Sequence, residues 1–257
     1  MRYFIDLSYC GTKFNGWQHQ KKQGDSRCVQ YVIEQTLTIL TKQPHEVTGC
    51  GRTDTGVHAI HYTAHTDSNF ILSEISFINK LNRFLPDDIV IHYIYPVAES
   101  AHARFDAINR SYVYHMHLEK SPFPNLSYYY PYKKPSLEKL SQAASLIIGN
   151  HDFFAFCKTK TDVKTTICNV YNAEWIYKDE NKLEFHITAD RFLRGMVRLI
   201  VGMCLDVERG KMTINEVAEA LHTKNRLSRS WSVPAIGLFL HSIEYPAQLK
   251  CKIYHNI

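Results

Sequence analysis

The segment GCGRTDTGVHA, residues 49–59, sets Arg52 two residues before Asp54 among glycines at 49, 51 and 56. Glycine adopts backbone angles closed to other residues, so the segment reads as a pliable, sharp loop carrying a cation and a carboxylate between two flatter pieces. A nearby cation favours the charged form of a carboxylate. Such a group suits a nucleophile or an electrostatic stabiliser better than a general acid. The pattern is short, and a structural ion pair in a turn is the competing reading.

A second set of charges lies in RFLRGMVRLIVGMCLDV, residues 191–207, which reads as a helix with Asp190 as N-cap. Arg191, Arg194 and Arg198 then form one basic stripe, and Leu193, Val197, Ile200 and Cys204 an apolar one. Cations in a first helical turn oppose the macrodipole by about 0.3–1 kcal/mol. The stripe is therefore either a phosphate seat or a solvated face paired with acids. Other cations stand among aromatics at 158–164, at Lys133 and Lys134 after YYYPY, and at Arg226 and Arg229 before Trp231. Interleaving of this kind suits base stacking, although most rings of a chain that is 12% aromatic fill its core. In the strand candidate 111–118, Tyr112, Tyr114, Met116 and Leu118 share a face, and only Tyr112, near the strand's start, is placed to reach a loop-borne site. His58, His61 and His65 have the spacing of helical zinc ligands, but on a strand they do not converge, and no metal is expected.

Alternation and helical periodicity supply the elements that must hold these groups. Strands are expected at 2–9, 59–66, 87–97, 111–118, 167–177, 182–189 and 237–245, the fifth and sixth as a hairpin. Helices are expected at 29–43, 72–85 with Ser73 as N-cap, 136–148, 191–207 and 214–222. The grouping predicts an α+β fold, a largely antiparallel mixed sheet with helices on one face. Two similar halves are expected, residues 1–104 with the Arg-Asp loop and 105–257 with the basic helix.

Of 257 residues, 45% are hydrophobic, enough for a sizeable core, and the formal charge of +5 fits a polyanionic partner without requiring one. Seven cysteines, an odd number without a C-x-x-C pair, predict reduced thiols. The N-terminus lacks a signal-peptide pattern, and the longest apolar run, 199–205, is too short to span a membrane. A soluble, cytoplasmic protein is expected.

Six segments in order, SYCGTKFNGWQ near the start, GRTDTGVHA, HARFDA at 102–107, RSYVY at 110–114, FLRGMVRLIVG at 192–202 and SVPAIGLFL at 232–240, resemble the TruA family of tRNA pseudouridine synthases over nearly the whole chain. The resemblance implies the pseudouridine synthase fold and a cofactor-free isomerase, a homodimer, that converts uridine to pseudouridine at positions 38, 39 and 40 of the tRNA anticodon stem-loop. It implies Asp54 as nucleophile, Arg52 pairing with that carboxylate and managing the flipped nucleotide, and Tyr112 packing on the uracil. Whether Asp54 attacks uracil C6 or ribose C1′ stays open. The chain departs from the family pattern at Arg194–Gly195 and at Leu227–Trp231, which bears on how RNA is gripped. A non-catalytic RNA-binding protein and a glycoside hydrolase are the rival classes; the hydrolase needs a second carboxylate, and none lies near the loop in sequence.

Overall fold

Side chains of Arg2–Tyr9 (β1) alternate, with Ile5, Leu7 and Tyr9 buried on one face and Phe4, Asp6 and Ser8 on the other. The structure, a computed structural model, describes residues 1–18, 27–123, 125–157, 164–223 and 225–249. β1 is the middle of an antiparallel trio. It pairs with β3 (His58–Asp67), Phe4 opposite His65, and with β4 (Ile89–Val97), Phe4 opposite Tyr95. β2 (Thr48–Gly49) adds to β3, and β10 (Leu238–Glu244) returns late in the chain to lie beside β3. In α1 (Val29–Thr41), Val29, Ile33 and Leu37 recur every fourth residue and are fully buried. α1 packs on α2 (Ile75–Phe84), and α2 on β4. These elements form one compact unit, Met1–Ile108 with the described part of Leu240–Ile257.

The second unit is Asn109–Phe239. Its strands run in the order β5 (Asn109–His117), β9 (Lys182–Ala189), β8 (Ile167–Tyr177), β7 (Gly149–Asp152), antiparallel, with β6 (Tyr128–Tyr129) parallel to β5. α3 (Leu137–Ser145) packs on β8 and on α4 (Met196–Glu208), and α5 (Ile214–Thr223) on β7. The α+β class and the largely antiparallel sheet agree with the sequence.

Three strands, 2–9, 167–177 and 182–189, fall where alternation places them. Two helix starts do not. Ser73 lies outside α2, whose capping position is Glu74. The helix expected from residue 191 begins at Met196, because Gly195 takes a left-handed φ of 75° and Met196 N–H bonds back to Leu193 O at 3.1 Å, closing a turn in front of the helix. Asp190 is thus no N-cap: its Oδ1 accepts from Asn169 N–H at 2.8 Å and Arg191 N–H at 2.7 Å. α4 is also not two-faced, since Met196, Val197 and every residue from Leu199 to Asp206 are buried. The two compact units meet in sequence at 108/109, and most of β10 belongs to the first unit.

Candidate active site

The Arg-Asp loop leaves β2 and enters β3, and it is held along its length. Thr53 O accepts from Trp17 N–H at 3.4 Å, Gly56 N–H donates to Phe14 O at 3.2 Å, and Val57 N–H closes a turn on Asp54 O at 3.2 Å. Thr53 Oγ1 and Tyr9 Oη share a 2.8 Å hydrogen bond, and Tyr62 Oη donates to Gly51 O. Gly11 N–H donates to Nδ1 of the buried His58 at 3.1 Å. Beneath the loop Trp17 stacks on Tyr62, centroids 3.9 Å apart. The segment 8–17 is therefore a cradle for the loop. Its glycines make the fit: a Cβ on Gly11 would lie 1.9 Å from Val57 O, and one on Gly16, where φ is 88°, 2.3 Å from Thr53 O.

The pliable-hinge reading is corrected by this. Of the loop's three glycines only Gly56 has a positive φ, 78°. Gly49 is needed for space, since a Cβ there would meet Tyr62 Oη at 2.0 Å and the Trp17 ring at 2.5 Å, while Gly51 faces open space. Asp54 is half-buried and Arg52 exposed. Among the described residues no ion pair joins Arg52 to Asp54.

The other candidates belong to the second unit. Tyr112 is half-buried on β5 with its ring edge-on to Phe192, centroids 5.1 Å apart, while Tyr114 and Met116 further along the strand are in the core. Arg191 and Arg194 precede α4 and only Arg198 is on it, so the three form no helical stripe. Arg198 Nε donates to Val233 O at 2.7 Å, Val233 N–H returns to Arg198 O at 3.3 Å, and Tyr114 Oη donates to Pro234 O at 2.8 Å. Gly202, one turn along, has no room for a Cβ, which would sit 1.8 Å from Trp231 O. Burial pushes the Tyr114 hydroxyl pKa upward.

The basic residues near aromatics are largely engaged within the fold. Arg226 donates to Cys157 O and lies 4.4 Å from the Phe154 centroid; Arg229 Nε is 3.8 Å from Oδ2 of the buried Asp206; Lys134 Nζ is 4.8 Å from the Tyr177 centroid. The run 158–164 lies, but for Lys164, outside the described residues. His61 is exposed while His58 and His65 are buried on different partners, and no group able to hold a metal occurs among the described residues. The six described cysteines are free thiols. No described helix is long and apolar enough to cross a membrane. The reading from sequence missed the cradle at 8–17; the glycine before Trp17 was its signal.

A family model described as tRNA pseudouridine synthase matches residues 7–106 and 143–246, spans that include both the loop and its cradle. The chain belongs to the tRNA pseudouridine synthase family. As a pseudouridine synthase it is an isomerase. It is 43% identical over 246 residues to tRNA pseudouridine synthase A of Azobacteroides pseudotrichonymphae genomovar. CFP2, covering 95% of this chain and 97% of that one. It is 41% identical to the protein of that name from Bacteroides thetaiotaomicron (96% and 92% covered) and 36% identical to that of Bacillus licheniformis (95% and 99%). A solved Cbf5-Nop10-Gar1 complex aligns at 11% identity and a TM-score of 0.33 over 78% of this chain and 53% of that one, a likeness too low to bear on the assignment. Tyr112 falls in the interval between the two stretches that the synthase model matches.

Proposed function

We propose that this synthase converts uridine to pseudouridine at positions 38, 39 and 40 of the tRNA anticodon stem-loop, with Asp54 as nucleophile. The supporting observation is a half-buried carboxylate on a loop whose backbone is tied to β1 and the 8–17 segment, which gives the rigid aim a nucleophile needs. Breaking the N1–C1′ bond builds oxocarbenium character that a fixed carboxylate stabilises or captures. The uracil then turns, C5 bonds to C1′, the C5 proton leaves, and N1 takes one up. No electrons are transferred and no water is added, so the reaction calls for no cofactor.

The roles of Arg52 and Tyr112 follow the family resemblance, and that of the three arginines follows their charge. Arg52, exposed beside the nucleophile, contacts the flipped nucleotide; Tyr112 packs on the uracil; Arg191, Arg194 and Arg198 face phosphates. Flipping costs a few kcal/mol, which such contacts offset. The working form is a cytoplasmic homodimer. The test is tritium release from tRNA labelled at uridine C5. Asp54→Asn is expected to lower release by at least about a thousandfold while tRNA affinity stays within about twofold. Substantial turnover by that variant would refute the assigned nucleophile.

A further inference from the structure

The HARFDA segment has no role in the reaction as described, yet the first unit fixes it firmly. Ala101 and Ala103 are buried against Phe4, Tyr245 and Leu249, on the face of β1 that also carries Asp6. Ala103 N–H donates to His65 Nδ1 at 3.2 Å, and Tyr245 Oη donates to Ala103 O. Arg104 and Phe105 N–H both donate to His102 Nδ1, at 3.1 and 3.4 Å. His102 N–H donates to Asp106 Oδ2 at 2.7 Å, and Asp106 N–H to His102 O at 3.1 Å. Arg2 Nη1 donates to Ala101 O at 2.9 Å.

At the tip of this frame the Phe105 ring is 72% exposed. The His102 ring supports it, centroids 4.3 Å apart, and the Arg104 guanidinium lies 5.6 Å from its centroid. The anchors of the loop are its alanines, His65, Tyr245 and its own backbone bonds, so the ring is not what holds the loop down. A large apolar ring kept in water on a pre-ordered backbone is a contact surface with little ordering cost left to meet. Its neighbour selects the occupant. A ring with a guanidinium over it matches a nucleotide, which offers a π-face and a phosphate together; an apolar protein side chain would have no use for the cation.

We propose that Phe105, with Arg104 beside it, is a stacking seat for an unpaired base of the tRNA substrate. The proposal rests on the tRNA reading above. Phe105→Ala is expected to weaken tRNA binding about 5- to 150-fold, the range for loss of one base–aromatic stack. The slope of log affinity against log salt should not change, because no phosphate contact is lost. Arg104→Ala should reduce that slope by about 1. Phe105→Tyr should bind like wild type.

Phe105→Trp places a fluorophore at the seat. Its emission, taken as the difference from wild type, should be quenched by tRNA and left unchanged by heparin, a polyanion without bases. Wild-type affinity in Phe105→Ala with an unchanged melting temperature would overturn the proposal. So would a shift in sedimentation mass of Phe105→Ala with tRNA affinity intact, which would give the ring to a second copy of the chain. The two levels separate cleanly: if wild-type protein makes pseudouridine but Phe105→Ala binds normally, only the seat fails; if wild-type protein makes none, the functional reading fails.

Discussion

Arg198 joins a structural bond to a proposed substrate role in one side chain. Its Nε is committed to Val233 O, so truncation removes both a charge-assisted hydrogen bond and a cation. Arg198→Ala should lower stability by about 1.5–3 kcal/mol in denaturant titration and reduce the salt slope of tRNA binding by about 1. Lost stability with an unchanged slope would leave Arg198 as the clamp of residues 231–234 alone. His65 offers a different readout. Burial first, then His102 and Arg2, lower its pKa to about 4, with Asp67 and Asp106 opposing. Its neutral form accepts the Ala103 N–H. A depressed folded-state pKa means the unfolded chain takes up the proton first, so this contribution is complete above about pH 6.5 and is lost as pH falls toward 4. Melting temperature should therefore drop across that window in wild type, and drop less in His65→Asn. Equal pH dependence in the two proteins would show that His65 does not govern it.

Among elements, the cradle at 8–17 is the one the loop depends on. Gly16→Ala places a side chain at a φ of 88° and 2.3 Å from the carbonyl of the residue before Asp54. The expected penalty is about 1–3 kcal/mol, or roughly 2–12 °C in calorimetry for a chain of this size. The rate of tritium release should fall more than tRNA affinity does, because the displaced carbonyl adjoins Asp54, the proposed nucleophile. Gly51→Ala, at a position facing open space, should leave stability nearly unchanged and serves as the contrasting variant. β1 and β9 were legible in the sequence because their side chains alternate over eight residues, and β8 because alternation holds on either side of the bulge between Val170 and Asn172. β2, β6 and β7 were not, since two to four residues carry no period. The start of α4 was misread because apolar spacing continues straight through Gly195; the glycine was the available sign of a break.

At the scale of the whole molecule, the proposed homodimer is the property most directly measured. Light scattering should give twice the chain mass at micromolar concentration, and a monomer mass that persists on tRNA addition would remove the dimer from the proposal. Residue order and type determined the family by themselves: a glycine-bracketed GRTDTGVHA, followed in order by HARFDA, RSYVY, FLRGMVRLIVG and SVPAIGLFL, is local information that no folding is needed to read. Only the tertiary structure decided what surrounds each group. It set Thr53 against Tyr9, 44 residues away, and Ala103 against Tyr245, 142 away. It also left Arg52 in solvent, tied Arg198 to Val233, and exposed Phe105. Periodicity reports which face of its own element a side chain takes, whereas these outcomes depend on which distant segment arrives to cover it.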